Sequence, residues 1–147
     1  MQAGRRADVS DSPASIMGKL RCRCGHVILD QTDFLPHKAE VFSDQDTARI
    51  WDAAADAIIG YFSEPLGPAR QRWIGAHLNT MDPAAVDDAS VVHQILSRGR
   101  SALGRTMYEC SECGRIWLQA RPGETRWVSY APDDEARGVL RSAAQLT

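Results

Sequence analysis

Apolar and polar positions change their period twice along the chain. Short runs rich in Val, Ile, Trp and Tyr occur at 27–29 and 39–42, and again at 105–109, 116–120 and 126–130, which predicts strands. Between these two groups the period lengthens. From Asp46 onward Trp51, Ala54, Ala55, Ile58 and Phe62 recur at three- and four-residue intervals, with Asp52 and Asp56 at polar positions. That spacing predicts an amphipathic helix, capped by Ser43 or Asp44 and closed by the sequence Glu64-Pro65-Leu66-Gly67-Pro68. Pro68 suits the first turn of a second helix through Trp73, Ile74, His77 and Leu78. A third helix is expected after Asp82-Pro83, with Val91, Val92, Ile95 and Leu96 on its apolar side and Gly99 as its stop. Pro122-Gly123 is a turn signal, so the last two strands form a hairpin. The resulting expectation is an α+β fold, with a small antiparallel sheet built from both ends of the chain and two to three helices inserted over 44–99.

Residues 1–18 are polar and aperiodic, so a disordered tail is expected there, followed by one domain over 19–132. Residues 133–147 read as a tail or a short helix around Val139 and Leu140. At 147 residues with 44% hydrophobic content, the chain can bury the core of one ordinary domain. No apolar stretch approaches the roughly 20 residues that span a bilayer, which argues against a membrane protein. Arg5-Arg6 is followed by no apolar run of the kind a secretory signal needs, so the cytoplasm is the expected compartment. A net charge of −2 argues against a main task of neutralising many phosphates. Lys19 and Lys38 are the only lysines among the basic residues, a bias that points to a GC-rich bacterial genome.

The chemistry-bearing signal is the cysteines. All four lie in two tight pairs, Cys22-Arg23-Cys24-Gly25 and Cys110-Ser111-Glu112-Cys113-Gly114. Two closely spaced cysteines on a tight turn present two thiolates to one ion, and the following glycine lets the backbone turn beneath it. One structural zinc per chain, held by Cys22, Cys24, Cys110 and Cys113, is therefore expected. Competing readings are disulfides, which a reducing compartment disfavours; a redox pair, which would need a helix where a strand follows Cys113; and iron in a sulfur-only site. With four cysteine ligands the site would be closed, without a position for water or substrate. Arg23 and Arg115 are expected to offset its negative charge.

These pairs resemble the knuckles of the zinc-ribbon class, in which two cysteine turns from two hairpins close on one metal. The resemblance is specific at CSECG, whereas CRCG lacks the usual two-residue gap, leaving open that His26 replaces one of its sulfurs. The wider arrangement, CRCGH near the start and YECSECGRIW near the end, resembles that of small bacterial proteins. It implies a zinc-ribbon sheet and carries no activity with it. Residues 25–109 separate the two pairs, far more than the roughly 12 to 20 in a simple zinc site, so the ribbon must host the helices as an insertion.

Other clusters carry weaker signals. Asp30 and Asp33 near His37 suggest an acid–base pair, set against ordinary turn hydrogen bonds. Trp117, Trp127, Tyr108 and Tyr130 offer either an aromatic platform for bases or strand packing. Arg98, Arg100 and Arg105 precede the second cysteine pair and suit phosphates or an acidic partner. His77 and His93 share no spacing with His37. No nucleotide-binding, metalloprotease or hydrolase fingerprint is present, and no catalytic residue is assigned. The leading expectation is a zinc-stabilised module that binds another protein, of the immunity or regulatory kind found in bacterial conflict systems, with Asp52 and Asp56 facing a basic partner. The alternative is nucleic-acid binding through the arginines and the aromatic hairpin.

Overall fold

A computed structural model describes residues 18–145. The tail expected before Lys19 lies, but for Gly18, outside the described residues. The fold is α+β: six short strands in two antiparallel sheets, and three α-helices. No helix among the described residues is long and apolar enough to cross a membrane. The chain divides into two compact units, one formed by residues 42–104 and the other by the segments on either side.

The unit formed by the chain ends is the sheet unit. Strands β1 (Lys19–Arg21) and β2 (Val27–Leu29) make a two-stranded hairpin. Strands β3 (Lys38–Val41), β4 (Arg105–Glu109), β5 (Ile116–Gln119) and β6 (Trp127–Tyr130) form a second sheet in that order. β1 is absent from the expectation above, because three residues, two of them charged, give no period to read. The β5–β6 register sets Trp117 opposite Ser129 and Gln119 opposite Trp127, so the two indoles share one face two residues apart. Leu20, Ile28, Tyr108 and Trp117 form the core, together with Cys22 and Cys110. Burying the first cysteine of each pair among these side chains ties the sulfurs to the core of the sheet unit.

Residues 42–104 are helical. Helix α1 (Asp44–Ser63) starts at Ser43, whose hydroxyl accepts from the Asp46 amide; α2 (Pro68–His77) carries its proline in the first turn. A 3-10 turn (Pro83–Ala85) follows, and α3 (Asp88–Leu103) begins only at Asp87, whose carboxylate accepts from the Ser90 amide. Gly99 does not end this helix, which continues to Leu103 and stops at Gly104. Its lack of a side chain serves packing: a Cβ there would sit 3.1 Å from Ile50 Cγ2 of α1. The buried face of α1 overlaps the expected one only at Ala54 and Ile58. Ala54 and Tyr61 pack with Ile74, Leu78, Val91 and Ile95, joined in part by Ile58, and Ile50 is buried beside Gly99, while Trp51, Ala55 and Phe62 stay exposed. Two apolar rows lie about a quarter turn apart on this helix, so periodicity alone could not choose between them.

The tail shows no helix at Val139 and Leu140, which form a turn; a 3-10 turn follows at Ala143–Gln145. The Glu109 carboxylate takes the Gly138 amide, and at 3.1 Å the Leu140 amide, which diverts both from helical bonding. Glu109 is itself almost fully buried.

Candidate metal centre

Both cysteine pairs sit where a strand leaves its sheet. Cys22 and Cys24 occupy the β1–β2 turn, in which the Cys22 amide donates to His26 O (2.8 Å) and the Gly25 amide to Cys22 O (2.9 Å). Cys110 and Cys113 occupy the β4–β5 turn, where the Cys110 amide donates to Arg115 O (2.9 Å) and the Gly114 amide to Cys110 O (2.8 Å). The two frames match except for the one-residue difference between CxC and CxxC. Gly25 and Gly114 both have positive φ, 95° and 69°, which a side chain would disfavour.

The turns bring the four sulfurs to within 4.8 Å of one another. Across the turns, Cys22 and Cys113 Sγ lie 3.6 Å apart, as do Cys24 and Cys110 Sγ. A tetrahedron of sulfurs about 2.3 Å from a central zinc has edges of roughly 3.8 Å, so the spacing fits one ion. Backbone N–H groups also aim at the sulfurs: that of Cys24 at Cys22, and those of Cys113 and Glu112 at Cys110. The Trp117 indole donates to Cys22 Sγ at 3.5 Å. Burial opposes the Cys22 thiolate, but the Cys24 amide, the indole and the neighbouring thiols together bring its pKa down to about 7. Burial, reinforced by the facing sulfurs, instead pushes Cys110 up to about 12 and also raises Cys113. Crowded thiols that hinder one another's ionisation are what a dication would relieve.

His26 is not a member of the cluster. Its Nε2 lies 3.3 Å from Ser111 Oγ, bridging the two turns from outside. His26→Ala is accordingly expected to leave the metal content of the purified protein unchanged; loss of an equivalent, measured by mass spectrometry of the metal, would make the imidazole a ligand. Of the two arginines expected to offset charge, Arg115 donates to Ser129 Oγ (3.2 Å), and Arg23 is exposed on the first turn.

Of the remaining candidates Asp30, His37 and Tyr108 lie near one another, and the others are dispersed over several elements. Asp30 accepts from Lys38 Nζ (2.6 Å) and from the Tyr108 hydroxyl, while His37 Nε2 meets Leu29 O at 3.0 Å. Burial raises the Asp30 carboxyl, but these two donors and the Lys38 charge lower it more, so it is held as a structural carboxylate. Asp33 is exposed. Trp117 and Tyr108 are buried and Trp127 is partly so, packed against the cysteine core, while Tyr130 is open. Arg98 and Arg100 belong to α3 and Arg105 to β4; Arg98 is engaged with His77 O at 2.6 Å. His77 stacks on Trp73, and His93 is exposed on α3. Sequence reasoning missed Glu109, whose buried carboxylate anchors the chain beyond β6. Its position next to Cys110 was the only signal available.

The fold and site thus define an α+β protein with a four-cysteine cluster able to hold one metal ion. A model for a domain of unknown function (DUF8617) matches residues 18–134, and the chain belongs to that family. No curated protein and no solved structure matches the chain.

Proposed function

We propose that this chain is a zinc-stabilised module that binds another protein, with one structural zinc held by Cys22, Cys24, Cys110 and Cys113. Zinc is favoured because an all-sulfur tetrahedral set suits it and closes the site to substrate. The observation that supports the binding role is an exposed apolar row on α1. Trp51 is 61% exposed, Ile59 65% and Phe62 46%, and with Ala55 they fall at i, i+4, i+8 and i+11, along one face of the helix. A run of large apolar side chains of this kind marks an interaction surface more often than a solvated one.

Asp52 and Asp56 are exposed along one border of that row. A second copy packed antiparallel about Ala55 would bring the four carboxylates of two such borders together, and like charges across an interface oppose it. A basic protein partner meets the same surface favourably, as an immunity or regulatory protein would require.

The test is affinity capture from the native host with and without nuclease, followed by titration of the recovered protein against Asp52→Lys/Asp56→Lys. Reversal of both charges is expected to weaken binding at least about tenfold while leaving the melting temperature nearly unchanged, since both side chains are exposed. Undiminished affinity would remove α1 from the interface, and a nuclease-sensitive capture would move the reading to nucleic acid.

A further inference from the structure

The two cysteine turns are unequally protected. Over the second turn the chain beyond β6 lies close: a Cβ on Gly114 would collide with Ala136 O and lie 3.3 Å from Pro132, and Glu109 holds the Gly138 and Leu140 amides. Cys110 is fully buried there. The first turn is open. Arg23, Cys24 and Gly25 are all exposed, and a Cβ on Gly25 would meet nothing within 4 Å. Cys24 is thus the most exposed residue of the cluster, and its Sγ lies 3.6 Å from Cys110 Sγ, 86 residues away in sequence.

We propose that Cys24 is a modification site at which a peroxide oxidises the cluster, and that the first product is a Cys24–Cys110 cross-link joining the two turns. Attack of the Cys24 thiolate on the peroxide O–O bond gives a sulfenic acid and releases hydroxide, or an alkoxide from an organic peroxide. Cys110 Sγ then displaces hydroxide from that sulfur, its own proton leaving with the hydroxide as water, and the disulfide forms. With hydrogen peroxide, one thiolate, one thiol, one peroxide and one proton become one disulfide and two waters. A second equivalent joins Cys22 to Cys113, which face each other at 3.6 Å across 91 residues. Each step removes two sulfur ligands from any bound metal, yet the cross-links keep the turns together, so the sheet unit survives metal loss.

The experiment treats the full chain, as purified, with hydrogen peroxide in steps from below one equivalent upward. Non-reducing peptide mapping follows the cross-links, and a colorimetric chelator follows zinc. The expected result is Cys24–Cys110 as the first linkage, Cys22–Cys113 as the second, and full reversal by dithiothreitol with added zinc. Limiting N-ethylmaleimide on the untreated chain should label Cys24 before the other three, a check that needs no variant. A first linkage within a turn, Cys22–Cys24 or Cys110–Cys113, overturns the proposal, as does accumulation of sulfonic acid at Cys24 without a cross-link. The chemistry rests on the cysteine geometry rather than on the binding role. If the chain purifies without zinc, that fails the proposed function, while the order of the linkages still decides this inference.

Discussion

Cys110→Ser is expected to purify without stoichiometric zinc and to lose cooperative thermal unfolding of the sheet unit. Cys110 is fully buried, belongs to the core with Leu20, Ile28, Tyr108 and Trp117, and receives backbone N–H groups on its sulfur. Serine is the smaller side chain and offers an oxygen that binds zinc poorly, and those donors would face a neutral hydroxyl in place of a charged thiolate. Because a site of this kind is not preformed in the unfolded chain, the free energy of metal binding enters folding. Structural zinc contributes on the order of 10 kcal/mol in small sites, against a total stability of about 5 to 15 kcal/mol for a domain. A loss of at least ~5 kcal/mol is therefore expected, enough to unfold the unit. Metal analysis and near-ultraviolet circular dichroism, which reports the packing of Trp117 beside Cys22, provide the check. A variant that retained one zinc and an unchanged tryptophan signal would show that Cys110 is not a ligand. His26→Ala is the internal control, since it alters a residue between the same turns without touching a sulfur.

How far this centre was legible in the sequence follows from its chemistry. Cysteine pairs followed by glycine announce two turns, and a local pattern of that kind survives translation into structure because its backbone bonds close within five residues. Whether His26 replaces one of the sulfurs of CRCG was not legible, since its neighbour Ser111 lies 85 residues away and only the fold brings it to the imidazole. The α+β class and the helices were readable from the change of period. What was lost was the rotation of α1 and the length of α3. Gly99 looks like a stop in one dimension and is a packing contact in three, where Ile50 presses against it. The C-terminal turn was invisible for a similar reason. The carboxylate that fixes it, Glu109, lies 29 and 31 residues away from the amides it binds.

Tyr61, absent from the apolar face expected for α1, supplies the second large effect. Its side chain is 1% exposed in the helical unit, its ring packs against Phe62 and Trp73 at centroid distances of 5.0 and 5.3 Å, and the Arg70 guanidinium lies 5.0 Å above it. The hydroxyl donates to Asp88 Oδ1 at 2.5 Å, and Arg70 pairs with the same carboxylate at 3.2 Å, so one tyrosine links α1, α2 and the start of α3. Two contributions can be separated. Tyr61→Ala opens a cavity where an aromatic ring was and is expected to cost about 3 to 5 kcal/mol. Tyr61→Phe keeps the ring and removes one hydrogen bond to a carboxylate that Arg70 still holds, so a loss of roughly 1 kcal/mol is expected. Chemical denaturation followed by far-ultraviolet circular dichroism reads the helices, and metal analysis reads the cluster. The core around Tyr61 contains no cysteine, and its residues all come from 42–104, so both variants are expected to keep the metal content of the parent chain. If phenylalanine cost as much as alanine, the link through Asp88 rather than burial of the ring would be what holds the three helices, and α1 would owe its position to charge.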